Sequence, residues 1–288
     1  MKRIAFQGEL GAYSELATYE YFGHDLQVIP KLTFEDIFKA VSKGDADHGI
    51  IPIENSLTGS IHENYDLLLE HDFKITGEIK LRIAHCLIMN RGAKISDIKR
   101  VYSHPQALSQ CKDYLNRLKD IELISVYDTA GAANRIKKSG SKQDAAVASE
   151  QAALDYDLDI IQSGIESNHM NFTRFLIISR ELQEEVENSK TSIVFKAKHI
   201  PGALYKSLSV FALRDIDLYK IESRPIPGSP WDYMFYLDFS GDIRHEVIKR
   251  ALGHLEEITS FLKVLGSYRK GDEVTSQLQG RERERNKK

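Results

Sequence analysis

The feature that most constrains the fold of this chain is a regular alternation of short apolar runs with amphipathic segments. In the first 55 residues the predicted elements are a strand over 2–6, a helix over 14–21, a strand over 26–29, a helix from Thr33 and a strand over 49–53. Parallel strands are joined by crossover connections, which are usually helices, so this order predicts an α/β fold with a doubly wound parallel sheet.

A second set of alternating elements follows. Its predicted strands cover 86–89, 99–102, 121–126 and 145–148, and helices follow the last three, beginning after Ser103-His104-Pro105, at Thr129 and at Ser149. A final strand over 172–179 would return the chain to its starting sheet. We therefore expect two lobes, 1–80 with 165–180 and 81–164, joined by hinge segments within 76–84 and 162–175.

The C-terminal part has a different order of elements. The polar segment 181–190 is typical of a linker. Predicted strands and helices then follow in the order βαββαβ over 191–272, which is the ferredoxin-like split motif of α+β domains. A charged tail over 273–288 ends in GRERERNKK, which we expect to be disordered.

Charge and hydropathy exclude several classes of protein. The 39 basic and 42 acidic residues give a net charge of −3, and no basic face indicates a nucleic acid partner. No apolar run approaches the roughly 20 residues that span a bilayer, and the N-terminus does not resemble a signal peptide, so we expect a cytoplasmic protein without a membrane partner. Cys86 and Cys111 lack CxxC spacing, which predicts reduced thiols and no metal site.

Four polar segments follow predicted strands, at the ends where open parallel sheets bind their ligands. They are 8–14 (GELGAYS), 52–56 (PIENS), 103–106 (SHPQ) and 128–131 (DTAG). Helix N-termini at such places supply backbone N–H groups that suit carboxylates. The alternative is that Ser14, Ser56 and Thr129 only cap helices.

The segment 171–175 (NFTRF) is the strongest short signal, because it leads into the returning strand. An arginine beside a hydroxyl offers a bidentate carboxylate clamp next to a neutral hydrogen-bond donor. A Thr-Arg pair is also common in purely structural roles.

The ordered set FQGELGAYSE, IPIENSLTGSI, SHPQALSQC, DTAGAA, AVAS and NFTRF resembles the prephenate dehydratase family up to Ser179. The downstream part is similar to the ACT regulatory domain, through Gly202-Ala203-Leu204 and Glu222-Ser223-Arg224-Pro225. The chain is also similar to arogenate dehydratases, notably in KLRIAHCL. The resemblance implies a two-lobed, periplasmic-binding-protein-like catalytic domain over 1–180, followed by an ACT domain over 191–272.

The resemblance also implies the reaction: dehydration and decarboxylation of prephenate to phenylpyruvate in phenylalanine biosynthesis, a lyase activity that needs no cofactor. It implies that Thr173 donates to the leaving hydroxyl. Arg174 would anchor a carboxylate or brace the cleft, and His104 would act as a general acid or only form a turn. The substrate-binding residues implied by the resemblance are Ser14, Asn55, Ser56, Ser103, Gln106, Thr129 and Phe175, the last packing beneath the site.

The regulatory motifs imply that L-phenylalanine binds between paired ACT domains of a homodimer or homotetramer and inhibits the enzyme. The implied contacts are Gly202, Ala203, Leu204, Glu222 and Ser223. Asp217 stands where the family usually has asparagine. Because the chain begins on its first catalytic strand, we expect a monofunctional enzyme. Two alternatives stay open: an arogenate dehydratase, and a non-catalytic cytosolic amino-acid sensor.

Overall fold

In a computed structural model of the protein, residues 1–182, 184–226 and 228–275 are described. The segment 280–288, predicted to be disordered, lies outside them, as does 276–279 of the predicted tail. In the first lobe the elements are, in chain order, β1 (Lys2–Gln7), α1 (Tyr13–Phe22), β2 (Leu26–Lys31), α2 (Phe34–Lys43), β3 (His48–Asn55), β4 (Gly59–Ser60), α3 (His62–Glu70) and β5 (Lys74–Arg82).

Strand β1 pairs in parallel with β2 and β3, as the sequence predicted. Thr33 caps α2 by accepting a hydrogen bond from the backbone N of Asp36 at 3.2 Å, and the helix ends at Gly44 in the left-handed conformation. The core of this lobe is formed by buried apolar residues of β1, α1, β3 and β5, with Phe175 among them.

The second lobe contains a five-stranded sheet in the order β10-β6-β9-β7-β8. Its elements are β6 (Cys86–Met89), a 3-10 helix (Ile95–Asp97), β7 (Arg100–Ser103), α4 (Pro105–Gln110), α5 (Lys112–Leu115), β8 (Glu122–Ser125), α6 (Thr129–Ser139), β9 (Asp144–Ala148), α7 (Glu150–Asp155) and β10 (Asp159–Ser163).

Three features of this lobe differ from the sequence prediction. Strand β6 runs antiparallel to β9 and β10, and only a 3-10 helix, rather than a crossover α-helix, stands between β6 and β7. Strand β10 occupies residues that the sequence placed partly in a hinge. The helix predicted to continue through Cys111 is interrupted there, between α4 and α5.

The chain then returns to the first sheet and continues into the βαββαβ unit. The remaining elements are β11 (Phe172–Ser179), β12 (Ser189–Ala197), α8 (Ala203–Ala212), β13 (Leu218–Ile226), β14 (Ser229–Ser240), α9 (Glu246–Ile258), β15 (Thr259–Arg269) and β16 (Glu273–Val274). In the first sheet the strands lie in the order β16-β5-β11-β3-β1-β2, so β11 lies between β5 and β3. This position confirms that the chain crosses twice between the lobes.

Strand β16 pairs in parallel with β5, although the sequence assigned its residues to the tail. Its two residues are too short a run to predict from periodicity. None of the helices in the described ranges is long and apolar enough to cross a bilayer.

The chain divides into two units. The first comprises Met1–Asn64, Ile79–Phe175 and the residues from Asp272, and the second comprises Tyr65–Glu78 and Leu176–Gly271. The second unit has an antiparallel sheet in the order β13-β14-β12-β15, with a core that includes residues of α8 and α9. The predicted ferredoxin-like order of elements is therefore confirmed.

The second unit is larger than the predicted 191–272. Its main segment begins at Leu176, and it also includes Tyr65–Glu78, so parts of α3 and β5, which the sequence placed in the first lobe, belong to it. Residues 65–78 belong to it, since the Tyr236 hydroxyl donates to the carbonyl O of Tyr65 at 2.9 Å. Ser189 and Lys190, predicted to be linker, lie in β12. The buried Lys190 ammonium lies 2.8 Å from the Glu78 carboxylate. In the sequence a lysine looks like a polar linker residue, because nothing shows that it is paired with a carboxylate in the interior. This explains why Lys190 was assigned to the linker.

The two lobes of the first unit are in contact where the β1–α1 loop approaches α7. Gly11 has a φ of +87°, and a Cβ added there would lie 2.6 Å from the Cα of Ala152. The Ser149 hydroxyl donates to the carbonyl O of Gly11 at 2.5 Å and also caps α7 by accepting from the backbone N of Ala152. Only glycine therefore permits the lobes to approach this closely.

A carboxyl pair lies beside this contact. Glu15 in α1 is 2% exposed, and its Oε2 accepts from the backbone N of Gly11 at 2.5 Å. Its side chain also hydrogen-bonds Asp155 at the end of α7. Burial, with the negative charge of Asp155, raises the pKa of Glu15 to about 7. The two lobes are thus joined by a carboxyl group that titrates near neutrality.

We expect Glu15→Gln to reduce the loss of stability with rising pH. A carboxyl whose pKa is raised on folding stabilises the protein fully below its unfolded value, and this contribution is lost as the pH rises through about 7. Urea unfolding at pH 5 and pH 8 should show the variant gaining about 1–2 kcal/mol relative to wild type at the higher pH. The exposed Glu70→Gln is the control, and a pH-independent difference for Glu15→Gln would contradict this account.

Candidate active site

The candidate site is organised around Asn55, the last residue of β3. Its side-chain Oδ1 accepts hydrogen bonds from the backbone N of Leu57 at 3.0 Å and of Thr58 at 3.1 Å. Asparagine is suited to this turn because its short amide reaches the backbone two and three residues ahead. Since Oδ1 faces two N–H donors, the orientation of the amide is fixed and Nδ2 faces β11.

The Nδ2 group of Asn55 contacts the segment 171–173 at three points. It lies 2.7 Å from Oδ1 of Asn171, 3.2 Å from the carbonyl O of Phe172 and 3.0 Å from Oγ1 of Thr173. Asn55 and Thr173 are separated by 118 positions in sequence, and the placement of β11 beside β3 brings them together.

The contact determines what the Thr173 hydroxyl can do. An amide N–H donates to Oγ1, so the hydroxyl proton is directed away from Asn55. Within the described ranges no acceptor lies within hydrogen-bond distance of that proton, and Thr173 is 8% exposed. The Thr173 hydroxyl is therefore held with its proton available, and its role as donor to a leaving hydroxyl stays a prediction.

Ser56 holds the segment before Thr173 in place. Its hydroxyl donates to the carbonyl O of Met170 at 2.8 Å and accepts from the backbone N of Phe172 at 2.9 Å. Its own backbone N donates to the carbonyl O of Phe172 at 2.8 Å. These bonds occupy the hydroxyl, so Ser56 acts on the loop, and its predicted contact with substrate stays a prediction.

Asn171 takes part in the site although the sequence assigned it no role. Its Oδ1 accepts from Asn55, and its Nδ2 is a buried donor without a partner among the described residues. An unpaired buried donor costs about 1–3 kcal/mol. The motif NFTRF contained Asn171, but nothing in its pattern indicated a partner 116 positions earlier.

Arg174 and Phe175 follow Thr173 in β11. Successive side chains of a strand project to opposite faces, so Arg174 is expected on the face of β11 opposite Thr173, and its predicted role as carboxylate anchor or brace stays a prediction. Both residues are buried. Phe175 packs in the core of the first lobe, as expected for a residue beneath the site rather than one in contact with a substrate.

In the second lobe, the segment 103–106 contains a buried residue that stabilises the sheet and an exposed residue that approaches the first lobe. Ser103 is fully buried, and its hydroxyl donates to the carbonyl O of Val147 at 2.6 Å, which joins β7 to β9. His104 caps α4, with Nδ1 accepting from the backbone N of Gln106 at 3.2 Å. Gln106 is exposed, and its Nε2 lies 3.5 Å from Oγ1 of Thr58 in the first lobe. Gln106 is thus the predicted contact that reaches across the cleft.

None of the three predicted hydroxyl caps forms. Ala12 stands at the N-cap of α1 without a side-chain bond, so Ser14 lies in the first turn. Asp128 caps α6 through a bond from the backbone N of Gly131, so Thr129 is the first helical residue. The alternative that Ser14, Ser56 and Thr129 are helix caps is therefore wrong.

Acidic and basic side chains together line a pocket beside α6. A pocket of about 350 Å³ is lined by Glu9, Asp128, Asn134 and Arg135, among others. Oε2 of Glu9 accepts from Nδ2 of Asn134 at 2.7 Å, which links the two lobes. Burial raises the pKa of Asp128, and the negative charge of Glu9 raises it further. The hydrogen bond from the Gly131 N–H has the opposite effect but is outweighed. In the described part of the chain no three His, Cys, Asp or Glu side chains group as a metal site.

The predicted effector residues lie in the second unit. Gly202, with a φ of +73°, precedes α8, and Ala203 and Leu204 begin that helix. They line a groove of about 530 Å³ together with Trp231 and Tyr233. Glu222 and Ser223 lie on the edge strand β13, where a Glu222 carboxylate oxygen is 3.5 Å from the Lys220 ammonium.

Comparison with known proteins agrees with this geometry. The model of the prephenate dehydratase family matches residues 4–183. The Arabidopsis thaliana protein named arogenate dehydratase/prephenate dehydratase 2, chloroplastic, is 47% identical over 277 residues, which cover 92% of this chain and 72% of that protein. The chain is similar to the structure of prephenate dehydratase from Arthrobacter aurescens in complex with L-Phe, with 29% identity, a TM-score of 0.84 and coverage of 93% and 90%.

A further solved structure is that of GqqA, called a novel type of quorum quenching acylase. It is 34% identical, with a TM-score of 0.86, and the match covers 93% of this chain and 98% of that one. The family match extends over β1 to β11 and includes Asn55 and Thr173. The chain belongs to the prephenate dehydratase family.

Proposed function

We propose that this lyase converts prephenate to phenylpyruvate in L-phenylalanine biosynthesis. The observation that carries the proposal is the Thr173 hydroxyl, whose oxygen accepts from the Asn55 amide at 3.0 Å and whose proton is directed elsewhere. A sensor would need no such donor, whereas a dehydratase must stabilise a departing oxygen.

The chemistry matches this arrangement. In prephenate, the C–O bond to the ring hydroxyl and the C–C bond to the ring carboxylate both break. The electron pair of the C–C bond enters the ring, which becomes aromatic, and hydroxide and carbon dioxide leave. Aromatisation supplies the driving force, so the barrier depends on stabilising the departing hydroxide. No electrons are exchanged with a carrier, and the hydroxide ends as water after taking a proton from solvent.

Thr173 would stabilise this charge by hydrogen bonding. A threonine hydroxyl has a pKa far above neutrality, so it is a poor free acid but a suitable fixed donor. One preorganised donor to a developing oxyanion is worth about 10²–10³ in rate. The two substrate carboxylates would be bound by Ser14, Gln106 and Thr129, because the Asp128 carboxylate already caps the N-terminus of α6. Arg174, on the opposite face of β11, would brace the site.

The second candidate is arogenate dehydratase activity, in which an ammonium replaces the keto group. The observation that favours it is the pair of carboxyl groups, Glu9 and Asp128, in the pocket beside α6, which Arg135 and Lys138 also line. A carboxylate there would attract an ammonium and would be of no use to a keto oxygen. The kcat/KM values for prephenate and arogenate, measured side by side, decide between the two.

We also propose that the second unit is an ACT regulatory domain that binds L-phenylalanine in a homodimer or homotetramer and inhibits the enzyme. The N-terminus of α8 suits the effector carboxylate, and Glu222 suits its ammonium. The βαββαβ order, the groove at Gly202 and the phenylalanine complex of the Arthrobacter protein support this proposal.

Thr173→Val should lower kcat/KM by about 10²–10³, because the isosteric side chain lacks the donor. Thr173→Ser retains a hydroxyl and should keep activity within about tenfold of wild type. Phenylpyruvate absorbance reports turnover of prephenate, and circular dichroism checks folding. A valine variant within threefold of wild type would remove Thr173 from the reaction.

Asn55→Asp should also lower kcat, by about 10–10². The carboxylate can still accept from Leu57 and Thr58, but it would take the Thr173 proton instead of donating to Oγ1. Stopped-flow or steady-state turnover gives the comparison, with the exposed Asn116→Asp as the matched control. Equal activity of the two variants would show that Asn55 does not orient Thr173.

Glu222→Gln should weaken L-phenylalanine binding by about tenfold, since the effector ammonium loses its charged partner. Isothermal titration calorimetry measures the Kd, and the exposed Glu256→Gln serves as the control. Inhibition of the wild type by L-phenylalanine with the same Kd in both variants would place the effector elsewhere.

A further inference from the structure

His85 lies in the first crossover between the lobes, between β5 and β6, and is 2% exposed. Its Nδ1 lies 2.8 Å from the Tyr13 hydroxyl of α1 in the first lobe. Its Nε2 lies 2.8 Å from Oε1 of Gln110 of α4 in the second lobe. One imidazole therefore bridges two helices that belong to different lobes.

The surroundings favour a neutral ring. Both side chains that contact its nitrogens, Tyr13 and Gln110, are uncharged. A neutral ring donates from Nε2 to Oε1 of Gln110 and accepts at Nδ1 from the Tyr13 hydroxyl, whose oxygen also lies 2.9 Å from the carbonyl O of Ala84. Burial lowers the pKa of His85. The hydrogen bond to Gln110 and the negative charge of Glu166 both raise it, but burial is the larger effect. Cys86 and Cys111, which are near Tyr13, are buried thiols whose pKa values are raised by burial.

The second crossover, which contains Ile165 and Glu166, also hydrogen-bonds to His85. The backbone N of His85 donates to Oε2 of Glu166 at 2.9 Å, and the buried Glu166 carboxylate is paired with Arg82 at 2.8 Å. The backbone N of Ile165 donates to the carbonyl O of His85 at 3.1 Å. Both crossovers and one helix from each lobe thus meet at His85.

The two bridged helices carry predicted substrate contacts. Tyr13 is adjacent to Ser14 in α1. Gln110 lies one turn after Gln106, so the two glutamines share a face of α4. The position of the imidazole thereby sets the spacing between groups that would hold the substrate from opposite sides of the cleft.

We propose that His85 is a positioning residue for the dehydratase reaction, which bridges Tyr13 and Gln110 to fix the two lobes at their catalytic spacing. The inference rests on the proposed function. Misplacement of reacting groups by about 1 Å can cost 10²-fold in rate, so loss of the bridge would reduce turnover although His85 does not touch substrate.

The test uses the full-length protein and variants that remove one end of the bridge each. Tyr13→Phe and Gln110→Met should each lower kcat/KM by roughly 10–100-fold. The double variant should be no slower than the slower single variant, because the loss of either end frees the ring. Tyr114→Phe is the matched control, since the Tyr114 hydroxyl has no hydrogen-bond partner in the described ranges. A purely stabilising role would lower Tm and leave kcat/KM of the folded enzyme within twofold, which would overturn the proposal.

A second readout is independent of turnover. Spin labels at Ser42→Cys in α2 and Asp113→Cys in α5 report the distance between the lobes, while the native cysteines are buried. The wild type and Tyr114→Phe should give one narrow distance distribution, which broadens in Tyr13→Phe and Gln110→Met. Unchanged distributions in both bridge variants would overturn the proposal whatever the activity does. If the distributions broaden but the wild type turns over neither prephenate nor arogenate, the bridge stands and the proposed function fails.

Discussion

The carboxamide of Asn55 joins the end of β3 to the beginning of β11, and the placement of the Thr173 hydroxyl depends on this contact. Its oxygen accepts from the turn at Leu57 and Thr58, while its nitrogen donates to Asn171 and Thr173. An aspartate could make only the first set of bonds. A glutamine would carry its amide one bond too far. Asparagine is the residue that can satisfy both strands at once, and so it fixes both the position of Thr173 and the direction of its proton.

The fold supplies the partners for this amide by passing the chain twice between the lobes. Strand β11, which lies between β5 and β3, follows the whole second lobe (86–163) in the chain. The lobes are then held by the approach of Gly11 to Ala152 and by the imidazole of His85. A reaction that uses no carrier of electrons relies on fixed donors and fixed charges, so rigid placement of these groups is the main contribution of the protein.

Much of the fold could be predicted because its periodic patterns are strong. The alternating strands and helices, the Thr33 cap and the βαββαβ order are encoded by residues close in sequence. The parts that were not predicted depend on distant partners. Strand β16 forms on β5, and Lys190 has a linker-like charge but pairs with Glu78 in the interior. The antiparallel direction of β6 relative to β9 and β10 leaves no periodic signal in the sequence.

The site shows the same division. The motif NFTRF predicted a role for Thr173, and the ordered set of segments predicted a ligand cleft; both stay predictions. The sequence could not reveal that the hydroxyls of Ser56 and Ser103 are occupied by backbone groups, or that His85 and Asn171 have roles, since the relevant partners lie 25 to 116 positions away. Hydrogen-bond partners at such separations are set by topology, and a single sequence carries no direct record of them.

The most direct test of the account is a double-mutant cycle between Asn55 and Thr173, with kcat/KM measured for wild type, Asn55→Asp, Thr173→Val and the double variant. If Asn55 acts by orienting the Thr173 proton, its replacement has nothing further to remove once the hydroxyl is gone, and the double variant will be no slower than Thr173→Val. If the two losses multiply, Asn55 and Thr173 act independently, and the claim that the amide directs the catalytic donor is contradicted.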